Sequence, residues 1–147
     1  MYQVLDKNKT KPDEIIAFLN SINDDFPVPL NRVTDIIDYA NKLLKFGDLF
    51  FIKNDSHIIG IIGGYNNDVE NRIGYISILF VLSNYRGKGI GTTLLETFIE
   101  TSIKQGMNLI HVNTNRKNEE AIRLYKGKGF VLRESGNVSE YTLIRQL

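Results

Sequence analysis

FVLSNYRGKGIGT, from Phe80 to Thr92, reads as an apolar strand that stops, turns through Gly87, Gly89 and Gly91, and enters a helix. Glycine adopts backbone conformations that side chains forbid and lets the chain come close to a ligand. A helix start leaves N–H groups unpaired, and the helix dipole favours an anion beside them. The stretch therefore predicts a phosphate site at a strand-to-helix turn. Spacing narrows the choice. A P-loop needs its lysine followed by Ser or Thr, whereas Lys88 is followed by Gly89 and Thr92 lies beyond the last glycine. The dinucleotide fingerprint needs GxGxxG, and these glycines are spaced GxGxG. A tight turn without a ligand is the packing alternative.

Upstream of the turn, Arg72 to Leu82 is a long strand pattern, preceded by a polar break from Asn66 to Asn71. Leu49 to Lys53 and His57 to Tyr65 are β-rich runs, and the residues between them, Asn54, Asp55 and Ser56, suit a hairpin turn. The result is an antiparallel meander leading into the glycine turn, which does not suit the first βαβ unit of a dinucleotide fold. Gly60, Gly63 and Gly64 in the middle run predict a bulge or a close backbone approach.

Nearer the N-terminus, Tyr2 to Leu5 is a short strand. Pro12, Asp13 and Glu14 open a first helix that runs to about Asn23, with Ile15, Ile16, Leu19 and Ile22 on one face. DDFPVPL, from Asp24 to Leu30, holds two prolines and predicts a loop carrying Phe26. Asn31 is the expected cap of a second helix, whose Val33, Ile36, Ile37, Ala40, Leu43 and Leu44 keep helical spacing until Gly47.

Downstream, Ile90, Leu94, Leu95, Phe98, Ile99 and Ile103 mark an amphipathic helix ending near Gly106. A strand follows from Leu109 to Thr114, a shorter helix from Asn118 to Lys126, a strand from Phe130, a turn from Glu134 to Asn137, and a last strand ending near Arg145. This order is mixed α/β around one sheet.

The 147 residues, 42% hydrophobic and 24% charged, suit one globular domain over residues 1–147. A net charge of +1 carries no general attraction for nucleic acid. The absence of cysteine excludes disulfides, thiolate metal ligands and a cysteine nucleophile, and suits a reducing cytoplasm. With only two histidines as well, no metal site is expected. No run reaches the roughly 18 apolar residues of a membrane span, so the expectation is a soluble, unprocessed chain without a membrane partner.

Two blocks carry a resemblance. Tyr85 to Glu96, YRGKGIGTTLLE, resembles the acyl-CoA pyrophosphate loop of the GCN5-related N-acetyltransferase (GNAT) family, whose pattern is Arg or Gln, two residues, Gly, one residue, then Gly or Ala; Arg86, Gly89 and Gly91 match it. Asn118 to Phe130, NEEAIRLYKGKGF, is similar to the family's later motif at Asn118, Ala121, Tyr125, Gly129 and Phe130. Ser83 departs from the pattern, standing where the family often has proline. The element order matches along essentially the whole chain.

The resemblance implies a single mixed, mainly antiparallel sheet with a splayed parallel pair flanked by about four helices. It also implies acetyl-CoA as acyl donor, direct transfer to an amine without a metal, and a monomer or homodimer. The phosphates fall to Arg86, Gly87, Lys88, Gly89, Ile90, Gly91 and Thr92, and the pantetheine arm to the backbone of Phe80 and Val81 and to Asn118. Asn118 also suits a helix N-cap. Tyr125 matches the family's frequent general acid, although it also lies on the apolar face of its helix. A phenol with a pKa of about 10 is protonated at neutral pH and can donate to a departing thiolate. The Val81 N–H is the expected oxyanion donor.

The base stays open. GYISILFV carries no acid, and Tyr75 and Ser77 stand on that strand instead. Asp25 and its neighbour Asp24, Phe26, and His111 across the cleft are the remaining acceptor-side candidates. The expected acceptor is a small-molecule primary amine: an amino sugar, polyamine or amino acid. A protein or peptide N-acetyltransferase and a non-catalytic CoA-binding module are the alternatives.

Overall fold

The computed structural model describes residues 2–147. After a three-residue strand β1 (Val4–Asp6), Pro12 opens α1 (Pro12–Ser21), with Asp13 and Glu14 in the first turn where the helix dipole favours them. The helix ends two residues before the expected Asn23, and Asn23–Asp25 form a single 3-10 turn. The expected second helix is divided. Leu30–Val33 make one turn, α2; Thr34 is extended; and Asp35, whose side chain accepts the Asp38 N–H at 3.0 Å, caps α3 (Ile36–Phe46). Asn31 is thus no cap: its N–H donates to Asn23 Oδ1 at 2.7 Å. Asp35 wins because its carboxylate accepts one of the N–H groups left unpaired at the start of α3, about one turn beyond Asn31. Among the described residues five helices result where about four were expected.

The meander follows as β2 (Asp48–Asn54), β3 (His57–Asp68) and β4 (Ile73–Val81). Asp55 and Ser56, both with positive φ, form the two-residue turn between β2 and β3. Helix α4 (Ile90–Lys104), β5 (Leu109–Asn115), α5 (Glu119–Gly127), β6 (Val131–Glu134) and β7 (Glu140–Gln146) complete the chain. The strands form one sheet in the order β1-β2-β3-β4-β5-β7-β6, in which only β4 and β5 run parallel.

Each face of the sheet has its own core. Ile15, Leu19, Ala40 and Leu43 of α1 and α3 pack on Leu49, Phe51 and Ile61. On the opposite face Leu94, Leu95 and Phe98 of α4 and Tyr125 of α5 pack on Ile59, Ile62, Ile76 and Ile110. Each fully buried Leu, Ile or Phe among them contributes about 1.5–3 kcal/mol, so both layers are firmly held to the sheet. Among the described residues no helix is long and apolar enough to cross a membrane.

The glycines of β3 mark a bulge, on the partner strand. Gly63 pairs with Ile78 and Gly64 with Ile76, so Ser77 is an extra residue in β4. A Cβ on Gly64 would lie 2.1 Å from the Tyr75 carbonyl oxygen and 2.8 Å from Phe98 Cζ; only glycine admits this approach. The extra residue also reverses the facing of β4. Ile76 belongs to the α4 side, whereas Ile78 and Phe80 belong to the α1–α3 side.

Candidate active site

The parallel pairing of β4 and β5 runs from Ile73 opposite Leu109 to Ile76 opposite Val112 and then stops, although β4 continues to Val81 and β5 to Asn115. The strands part at the Ser77 bulge. Along the free edge, the Leu82 N–H donates to the Ile59 carbonyl of β3 at 2.8 Å. Because backbone groups alternate in direction, Phe80 also turns its N–H toward β3, and Leu79 and Val81 turn theirs into the gap. Phe80, expected to offer its backbone, offers its ring instead, with the Phe26 ring at 5.2 Å.

Beyond β4 the glycine turn adopts the conformation its composition requires. Gly87 has φ 75° and Gly89, at the N-cap of α4, has φ 81°. Thr93 is the first residue of α4 to donate to a carbonyl, that of Gly89 at 3.0 Å; the six N–H groups from Gly87 to Thr92 have no acceptor among the described residues. Consecutive free donors at the positive end of a 15-residue helix form an anion-binding concavity. A Cβ at Gly87 or Gly89 would meet nothing within 4 Å, so the space in front of these donors is open. The residues present therefore fit a pyrophosphate. Arg86 is held over this turn: its Nε donates to the Val81 carbonyl at 2.9 Å, its guanidinium lies 5.3 Å from the Phe80 ring centre, and Glu120 is 3.9 Å away.

The turn and the gap open into one cavity of about 550 Å³. Phe80, Val81, Arg86, Gly87 and Gly89 line it, with Ile90, Gly91 and Thr92 at the start of α4. Asn118 closes another side. Its carbonyl oxygen also accepts the Ala121 N–H at 3.3 Å, so it caps α5 while facing the cavity. Asp25 and Phe26 form part of the wall through the loop after α1. Lys88 does not line the cavity; its Nζ lies over the Tyr85 ring at 5.5 Å.

Sequence reasoning missed Leu79, Tyr85, Lys117 and Glu120 in this lining. The basic pair Arg116–Lys117 before the second motif was the available signal for Lys117. Leu79 became recognisable only once the bulge set the direction of its backbone.

Tyr125, Tyr75, Ser77 and His111 lie outside the cavity lining, around the far end of the gap. Tyr125 is 3% exposed, 5.3 Å from the Phe130 ring. Its hydroxyl makes no protein hydrogen bond and is not among the sealed polar atoms, which are Asn66 Oδ1 and Arg116 Nε, so it reaches accessible space. Burial, with Tyr75 nearby, pushes its phenol well above the usual tyrosine range and keeps it a donor.

On the α1–α3 side, Tyr75 stands directly opposite His111, their rings 4.7 Å apart, and Tyr65 is the β3 neighbour of Tyr75. Burial lowers the His111 pKa, which leaves the imidazole neutral at pH 7 with a lone pair available. Burial, with the charge of Glu140, raises that of Tyr75. Ser77 is 2.6 Å from the Tyr39 hydroxyl of α3. No group of three or more His, Asp or Glu among the described residues could hold a metal.

Comparison with known proteins agrees with this geometry. Residues 15–130 match the model of the acetyltransferase (GNAT) family. N-alpha-acetyltransferase 30 of Saccharomyces cerevisiae is 40% identical over 58 residues, 40% of this chain and 33% of its own length. Such matches span about a quarter to a third of the curated relatives they meet. A GNAT-family acetyltransferase from Staphylococcus aureus Mu50 superposes with a TM-score of 0.83 at 23% identity, covering 100% of this chain and 99% of the other. A chain of the NatC complex bound to Gag peptide and CoA superposes at 0.76 with 25% identity, covering 100% and 98%.

Proposed function

Because the chain belongs to the GNAT family of acetyltransferases, we propose that it transfers the acetyl group of acetyl-CoA directly to the primary amine of a small molecule. One observation carries the reading: six consecutive N–H groups without an acceptor among the described residues stand beside a gap opened in the parallel pair β4–β5. The first binds the pyrophosphate. The second admits the pantetheine arm between strands, where Leu79 turns its N–H and carbonyl, and Val81 its N–H, into the gap, the Val81 carbonyl being held by Arg86.

The chain's own residues then divide the chemistry. The Val81 N–H points into the gap and stabilises the oxyanion that develops as the amine attacks. The Tyr125 phenol, kept protonated by burial, donates to the sulfur that leaves. The neutral imidazole of His111 takes the amine proton, directly or through a water held by the Tyr75 hydroxyl. This pair supplies the base that no carboxylate on β4 provides. Asp25 and Phe26, on the loop that walls the cavity, contact the acceptor.

A second reading is an α-amine of a protein or peptide as acceptor. The likeness to N-alpha-acetyltransferase 30 and to a NatC structure with a bound peptide supports it. Thiol release from acetyl-CoA, measured with a panel of amino sugars, polyamines, amino acids and peptides with free N-termini, tests both. Turnover with small amines alone supports the first reading, and turnover with peptides alone supports the second. Tight acetyl-CoA binding without thiol release for any acceptor would overturn the enzymatic reading.

A further inference from the structure

Ser77 is the extra residue of β4, and a bulged residue is not held by the ladder on either side. Parallel pairing with β5 ends at Ile76, the residue before it, so the conformation at Ser77 decides where the two strands part. The same residue sets the facing of everything after it, including the Leu79 and Val81 backbone that points into the gap. What holds Ser77 is a side chain: its Oγ lies 2.6 Å from the Tyr39 hydroxyl, its one side-chain hydrogen bond among the described residues.

Tyr39 comes from α3, which Ala40 and Leu43 anchor in the core on the Tyr75 and His111 side of the sheet. Burial drives the Tyr39 phenol upward, with Ser77 pulling the other way, so the group stays neutral and the hydrogen bond persists across the physiological range. A neutral pair of hydroxyls in a partly buried setting satisfies both partners.

We propose that Tyr39 is a positioning residue for acyl transfer, holding the Ser77 bulge, and through it the Leu79 and Val81 backbone, in the geometry that opens the β4–β5 gap. The inference rests on the acetyltransferase reading above. Tyr39 does not line the cavity; it acts through β4.

The test compares Tyr39→Phe, which keeps the ring and its packing, with Ser77→Ala, Ser77→Thr and the Tyr39→Phe/Ser77→Ala double variant. Acetyl-CoA affinity is measured alongside thiol release with the best acceptor. Tyr39→Phe is expected to lower kcat about tenfold while the Kd for acetyl-CoA changes by no more than about twofold, because the phosphate cradle is untouched. Ser77→Ala should show the same loss and Ser77→Thr, which keeps a hydroxyl, should restore most of it. The double variant should lose about as much as either single one, since all three break the same bond. Wild-type kcat in Tyr39→Phe, or a double variant whose loss is the product of the single losses, would overturn the positioning role while leaving the enzyme assignment intact. A wild-type chain that neither binds acetyl-CoA nor releases thiol would overturn the assignment itself, and this inference with it.

Discussion

Tyr75 and His111 face each other across the last stretch of parallel pairing, ring centres 4.7 Å apart and planes inclined at 43°, two register steps from the point where β4 and β5 part. No carboxylate stands on β4; this aromatic pair, with Glu140 close enough for its charge to raise the Tyr75 pKa, is the titratable set at this end of the gap. His111 is the member whose charge changes near neutrality.

The pH dependence follows from the sign of the His111 shift. Burial disfavours the imidazolium, so its pKa in the folded chain lies below the usual 6.5. The neutral, proton-accepting form is present above that folded pKa and lost as pH falls through it. With an acceptor whose own protonation is accounted for, kcat/KM should therefore hold its plateau below pH 6.5 and decline only in more acid solution. His111→Gln should lower kcat about 10²-fold and remove that acid limb. A variant that keeps both the rate and the limb would assign the proton to another group.

Tyr125 gives a prediction in which rate and stability separate. Its ring is buried while its hydroxyl, without a protein partner, reaches accessible space, so Tyr125→Phe breaks no hydrogen bond and keeps the packing of the ring. The melting temperature should stay level or rise, whereas kcat should fall about 10²-fold if the phenol donates to the leaving thiolate. Affinity for acetyl-CoA should hardly change. A drop in stability with unchanged turnover would make Tyr125 a packing residue, as its place on the apolar face of α5 also allows.

Local pattern in the chain announced the phosphate turn but not the shape of the gap. Gly87 and Gly89 have the positive φ their composition requires, and the later block lands on a helix whose cap, Asn118, faces the same cavity. Both signals act within a few residues. The Ser77 bulge does not: GYISILFV alternates without interruption, and the extra residue appears only against β3, through Gly63 and Gly64. Tyr39 was hidden for the same reason, since helical spacing puts it on α3 without saying which strand residue it meets. Asp35 prevailed over Asn31 because either of these polar residues, four apart, can cap a helix, and the packing of Ile36, Ala40 and Leu43 decides between them.

At the turn itself, two substitutions of Gly89 separate strain from charge. Ala and Asp both force a side chain into a left-handed conformation, at a cost of roughly 1–2 kcal/mol, and neither meets a neighbour, since nothing lies within 4 Å of a Cβ there. Because Gly89 is the N-cap of α4, the Asp variant, whose side chain tolerates this conformation better than Ala and sets its charge at the positive end of the helix, should be destabilised no more than the Ala variant. Gly89→Ala should retain weakened acetyl-CoA binding, whereas Gly89→Asp sets a negative charge before the six free N–H groups and should abolish it. Calorimetric titration with acetyl-CoA, beside a thermal melt of each variant, reads the two effects apart. Equal affinities would place the phosphates elsewhere.

Gly64 tests the bulge from the opposite strand. A methyl group there would sit 2.1 Å from the Tyr75 carbonyl oxygen, which belongs to the backbone and cannot rotate away. Gly64→Ala must therefore push β3 from β4 just where Ser77 is accommodated, and overpacking of this kind costs typically 1–3 kcal/mol. Chemical denaturation should show at least that loss. Because the displacement falls on Tyr75 and the start of the gap, kcat should decline even under conditions where the variant remains fully folded. Gly63→Ala is the control: its Cβ would meet only the side-chain methyls of Leu43 and Leu49, at 3.1 to 3.3 Å, which can shift. It should cost stability with little effect on turnover, and an equal loss of turnover in both variants would mean that β3 acts through general loosening of the sheet and not through the bulge.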